Sequence, residues 1–98
     1  MRIARVVGNV VSTIKDKSFH GYKLMIIEYL GEDGAPAGAR QIAFDAAHAG
    51  VGDVVLVNTD GGAANMLLDE KIVADLTICG VVDSYTYDGV TAIFSGGR

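Results

Sequence analysis

Cysteine occurs once in these 98 residues, at Cys79, and proline once, at Pro36. A single cysteine excludes any intrachain disulfide, a composition that suits a reducing cytosol. Lysine and arginine number eight against twelve aspartates and glutamates, giving a formal charge of −4 with no basic run. Proteins that bind nucleic acid neutralise phosphates with basic side chains, so this balance argues against that class. No apolar stretch reaches the roughly 18 residues of a membrane-spanning helix, which excludes one. The opening Met1-Arg2-Ile3-Ala4-Arg5 has no apolar leader with a cleavage site and reads directly into a strand.

What the chain has in quantity is small and apolar residues. Half of it is apolar and 13 residues are glycine, whereas only 20% are charged. A chain of this length makes one small domain, here 1–98, and buries only about 60–65% of its unfolded surface. Two outlets for the apolar surplus stay open: an ordinary hydrophobic β-domain, or association of copies.

The apolar residues fall mostly in β-type patterns. Residues 1–14 are rich in Val and Ile and form a strand too long to stay straight, with Gly8 the place to bend. A long bent first strand suits a small closed barrel, where it pairs on both sides. A solvated turn at 15–18 leads through His20-Gly21 to a second strand over 22–30. Residues 31–38 carry three glycines and the proline, and read as a hairpin loop. The third strand, 39–45, alternates toward its end. The fourth, up to Asn58, is continuously apolar, as a strand covered on both faces would be. Asp60 then caps a short helix whose apolar face is Ala64, Leu67 and Leu68. From 72 to 87 the pattern is β again, broken at Gly80. Asp88-Gly89 makes a two-residue hairpin turn into a last strand over 90–94, followed by a frayed tail. The chain is therefore mainly all-β: a five- to six-stranded antiparallel barrel, like the oligonucleotide/oligosaccharide-binding (OB) type, with one short helix.

Chemistry is harder to find. Asp45, His48 and Asp53 lie close in sequence, but a zinc site wants three or four ligands and only two histidines and one cysteine exist. A surface-loop histidine is the simpler reading, and no metal is expected. Gly50-Val51-Gly52 is followed by a strand rather than a helix, so it lacks the helix dipole that holds a phosphate. Gly61-Gly62 precedes the expected helix and is the better anion candidate, with a plain turn as its alternative. No serine has a nucleophile-elbow context. Cys79 lies in an apolar run and reads as a buried small hydrophobe. No catalytic residue and no cofactor are expected, so the chain does not read as an enzyme. Tyr85, Tyr87 and Phe94 fall on the C-terminal hairpin without the basic surround that base stacking needs. They serve better as contacts to a neighbouring subunit, with ordinary core as the competing role.

Four ordered blocks carry a resemblance that covers nearly the whole chain. They begin with Ile3-Ala4-Arg5-Val6-Val7-Gly8-Asn9-Val10-Val11-Ser12-Thr13-Ile14-Lys15 and Gly21-Tyr22-Lys23-Leu24-Met25-Ile26-Ile27. The third is Asp45-Ala46 followed by Ala49-Gly50-Val51-Gly52-Asp53-Val54-Val55-Leu56-Val57, and the fourth Ala74-Asp75-Leu76-Thr77-Ile78-Cys79-Gly80-Val81-Val82-Asp83. Together they resemble the EutN/CcmL family, the pentameric vertex proteins of bacterial microcompartment shells. Two positions depart from its pattern: His48 stands where the family usually has Gly, and Asn65 where it would place Arg.

The resemblance implies the same kind of barrel and a structural role. A homopentamer would cap the vertices of a polyhedral shell in the bacterial cytoplasm, beside hexameric shell proteins, with no nucleic acid or membrane partner. Hexagonal tiles alone make flat sheets, and closing them requires five-fold points. The loop His48, Ala49, Gly50, Val51, Gly52 and Asp53 then has two readings. Its small residues let five copies pack around the symmetry axis, or they merely turn the chain between strands three and four. The alternative function is a monomeric OB-type barrel that binds single-stranded nucleic acid or another small ligand.

Overall fold

The computed structural model describes residues 1–11, 23–59 and 76–94. Within them lie seven strands: β1 (Arg2–Val10), β2 (Lys23–Leu30), β3 (Pro36–Asp45), β4 (Val54–Asn58), β5 (Thr77–Val81), β6 (Ser84–Tyr87) and β7 (Val90–Ile93). The first five close into a barrel in the order β1-β2-β3-β5-β4, and β4 pairs back onto β1. The expected antiparallel barrel is thus five-stranded, with one exception to its polarity. β3 and β5 run parallel over the short seam Phe44–Thr77 and Asp45–Ile78.

Side-chain alternation explains where the core sits. Along β1, Ala4 and Val6 point inward, and along β2 Met25, Ile27 and Tyr29 do so. Ala43, Val55, Val57 and Ile78 complete the cluster. β4 has both faces covered, only Leu56 being partly open, as its continuous apolar run requires.

Three register shifts help curve the small barrel, one of them between Glu28 and Leu30 on the β2–β3 ladder. Val6 faces Ile27 and Gly8 faces Ile26, so Val7 is the extra residue in β1, beside the expected bend. A Cβ on Gly8 would come within 3.4 Å of Ile26 Cδ1. Another shift is in β5: Leu56 faces Gly80 and Val57 faces Ile78, leaving Cys79 unpaired in the register. Cys79 is therefore half-buried rather than buried, and its thiol donates to the Leu56 carbonyl at 3.5 Å. Gly80 does not break the strand. The break comes at Val82 and Asp83, after Val82 N–H has donated to Val54 O at 2.7 Å.

Other strand ends shift by a few residues. β1 ends at Val10 rather than residue 14, and β3 starts at Pro36, a strand's first position being one of the few that tolerates proline. β6 and β7 form a separate two-stranded sheet. Asp88 (φ 48°) and Gly89 (φ 77°) both have left-handed backbones, as the tight turn between Tyr87 and Val90 demands. The expected helix after Asp60, the anion candidate Gly61-Gly62, Asn65, the turn at 15–18 and the tail at 95–98 lie outside the described residues.

Candidate functional site

The loop between β3 and β4 is clamped by a carboxylate at each end. Asp45 is buried, and its Oδ1 accepts the N–H of Ala47 at 2.9 Å, closing an Asx-turn. Its Oδ2 accepts the N–H of Ala49 at 2.9 Å and lies 3.6 Å from Lys23 Nζ. That ammonium also donates to Ala49 O at 3.4 Å. At the other end, Asp53 Oδ2 accepts the N–H of Gly50 at 2.8 Å, and Asp53 N–H donates to Gly50 O at 3.0 Å. Gly52 N–H donates to Val6 O at 2.8 Å, and Val6 N–H to Asp53 O at 2.9 Å. Arg5 Nη1 adds a bond to Gly52 O at 3.0 Å. The loop is thereby welded to β1 and β2.

These bonds give both aspartates a part in shaping the loop. Both oxygens of Asp45 are engaged by main-chain amides, so the Asp45, His48 and Asp53 spacing serves a turn. Among the described residues no cluster of three or more His, Cys, Asp or Glu stands ready for a metal. His48 is exposed and has a φ of 55°, a left-handed conformation that costs a side chain free energy and glycine almost nothing. A glycine at this position would have a backbone reason. Gly52, at φ 97°, meets the same requirement. Gly50 does not: its φ is not left-handed, and an added Cβ would meet only Asp53 Oδ2, at 3.8 Å.

The aromatic residues sit on one face of the hairpin. Tyr85 stacks on Phe94 with ring centroids 5.5 Å apart and lies 5.9 Å from Tyr87. Its hydroxyl donates to Glu32 O at 2.6 Å, pinning the hairpin to the turn between β2 and β3. Loss of water around that hydroxyl, then Tyr87 and the acids Asp33 and Glu32, push its ionisation above the usual 10.0. Phe94 N–H donates to Asp83 O at 2.8 Å and closes the hairpin base. All three rings are only half-buried.

The loop and the hairpin meet across one open cleft of about 440 Å³, lined by Arg5, Gly50, Val51, Gly52, Asp53, Ile93 and Phe94. Of the three aromatics, only Phe94 reaches it. Sequence reasoning missed Arg5, Lys23 and Glu32. A carboxylate at each edge of a run of Ala and Gly was the available signal, because aspartate readily bonds amides two residues ahead. The cations and the Glu32 carbonyl come from distant strands and left no local trace.

With this geometry in place, comparisons with known proteins become informative. The family model described as "Ethanolamine utilisation protein EutN/carboxysome" matches residues 1–83. The chain is 35% identical over 88 residues to the microcompartment shell vertex protein PduN of Salmonella typhimurium, covering 86% of this chain and 97% of that one. The shell vertex protein GrpN of Rhodospirillum rubrum is 34% identical over 84 residues, covering 86% and 94%. The solved structure of GrpN, a pentameric microcompartment shell protein, superimposes with a TM-score of 0.77 at 33% identity over 89% of this chain and 99% of that one. The crystal structure of EutN from Escherichia coli gives 0.83 at 30% identity, covering 93% and 94%. On this evidence the chain belongs to the EutN/CcmL family.

Proposed function

We propose that this protein is a structural shell component whose homopentamer closes the vertices of a bacterial microcompartment. The observation that carries the reading is family membership along most of the chain, together with a pentameric shell protein among its near structural relatives. The apolar surplus supports it, because a ring of barrels hides surface that one small barrel cannot. Its place is the cytoplasm, in a shell otherwise tiled by hexameric proteins, and its work is geometric rather than catalytic.

Within the ring, the loop from His48 to Asp53 faces the five-fold axis and the hairpin bearing Tyr85, Tyr87 and Phe94 reinforces the subunit join. Gly50 supports the first assignment: nothing among the described residues of one chain requires glycine there, whereas a neighbouring backbone would. Val51, 60% exposed on the same loop, is apolar surface that a second copy would cover. Half-buried rings on an outlying two-stranded sheet support the second. Native mass spectrometry is the test. Five subunits are expected, and a monomer or dimer at micromolar concentration overturns the reading.

A further inference from the structure

The barrel exterior carries an apolar face that the ring as described leaves unused. Along the β2–β3 ladder Leu24 lies opposite Phe44, Ile26 opposite Ile42, and Glu28 opposite Arg40. These residues point outward, since their neighbours Met25, Ile27 and Ala43 are in the core. Ile42 is 56% exposed. Gly8 lies beside Ile26 and adds no side chain, so the isoleucine pair stands on a flat surface. The charge pair at its edge is lopsided in depth. The side chain of Arg40 is 64% exposed, but that of its acidic partner Glu28 only 22%. What a partner meets first is positive charge.

The hairpin has the opposite character. Between Asp83 and Phe94 the chain carries Asp83 and Asp88 but no lysine or arginine. The turn that Tyr85 touches adds Glu32 and Asp33. At the tip Tyr87 pairs with Val90, which is 53% exposed. A two-stranded hairpin is marginal in water by itself. Among the described residues, its hydrogen bonds to the rest of the chain lie at the base and at Tyr85, not at the tip.

Resting on the pentameric reading, we infer that the hairpin tip of one copy docks on the outer β2–β3 face of the next. Tyr87 and Val90 cover Ile26 and Ile42, and the acidic hairpin lies against Arg40. Charge of opposite sign fixes the register, while the apolar centre excludes water. The two patches belong to different strands, so the contact is heterologous: every copy gives its hairpin to one neighbour and receives one from the other. Contacts of this kind close into a ring when the rotation between copies divides the circle.

Two substitutions test the pairing. Ile42→Glu places a carboxylate in the receiving face, and Val90→Glu places one at the tip. Both sites are exposed in the single chain, so circular dichroism melting should report folded barrels. Each variant alone is expected to be a monomer by native mass spectrometry. Mixed, they retain one intact pairing: the hairpin of the Ile42→Glu chain on the face of the Val90→Glu chain. A one-to-one dimer and nothing larger is the expected result. A folded variant that still forms rings alone, or a mixture that stays monomeric, overturns the contact. A monomeric unsubstituted protein would instead remove the pentameric reading beneath it.

Discussion

The β3–β4 loop and the β6–β7 hairpin both reverse the chain through left-handed residues, His48 and Gly52 in one, Asp88 and Gly89 in the other. They are held by different means. Two buried carboxylates, two cations and a pair of main-chain bonds to Val6 lock the loop into the barrel. Among the described residues, the hairpin is held by its own ladder, the Tyr85 hydroxyl bond and its base. None of the described core residues lies beyond Ile78. Opening the hairpin therefore exposes little apolar surface, while opening the loop strips amides from buried partners. One region shares the stability of the barrel, and the other opens at its own lower free energy.

The sharpest way to break this contrast is at Asp45. Asp45→Ala leaves the amides of Ala47 and Ala49 without their acceptor and Lys23 without its counter-charge. Unmet buried donors of this kind cost about 3 kcal/mol together, a loss that a urea unfolding midpoint should register. Substituting Asn, which keeps one acceptor oxygen, should recover part of it.

Gly52→Ala and Gly89→Ala then form a matched pair. Each has a left-handed φ, and at neither would an added Cβ meet any described residue within 4 Å. The local cost is the same conformational one, about 1 kcal/mol. Their readouts should differ. Gly52→Ala is expected to lower the global unfolding midpoint, because its amide is bonded to β1. Gly89→Ala should instead speed hydrogen exchange in β6 and β7 and leave the barrel midpoint in place. Equal global effects would erase the distinction between the two regions.

Tyr85 gives a smaller, pH-dependent version. Its ionisation is raised in the folded chain, so its anchoring contribution is fully present below the unfolded value of about 10. It is lost as pH rises through the higher folded value, since a phenolate cannot donate to Glu32 O. Ring signals of Tyr85 followed by NMR should titrate above 10 and report hairpin release, with barrel signals unmoved. Tyr85→Phe should release the hairpin at every pH.

How much of this was legible in the sequence depended on whether the cause was local. Asp88-Gly89 named its own turn because only certain residues accept that backbone, and the unbroken apolar run of β4 announced a strand with two covered faces. Gly8 marked the bulge within one residue. Cys79 misled because hydropathy cannot see register: a bulge turned it half outward amid buried neighbours. Gly80 misled for a related reason, since pairing with Leu56 carries β5 through it. The parallel seam between β3 and β5 left no signal, as it depends on residues 33 positions apart, such as Phe44 and Thr77, meeting in space. In the candidate site the two aspartates and the small residues between them were visible, but Arg5 and Lys23 were supplied by topology.

Gly50 is where the comparison becomes a statement about assembly. In the single chain Gly52 is required by its backbone and Gly50 is not, although both stand in one exposed loop. Gly50→Ala should leave the unfolding midpoint of an isolated barrel unchanged. It could even raise it by about 0.5 kcal/mol, because alanine restricts the unfolded chain more than glycine does. If five loops meet at the axis, the same methyl group appears five times where backbones approach, and packing at close range has no space for it. The ring should then dissociate at lower concentration than the parent while each subunit stays as stable as before. Mass measurement across a dilution series, paired with melting of an assembly-deficient Ile42→Glu background, separates the two effects. Unchanged dissociation would mean that Gly50 serves only the turn. The loop would then belong on the periphery of the ring, and the axis would have to be built from another part of the barrel.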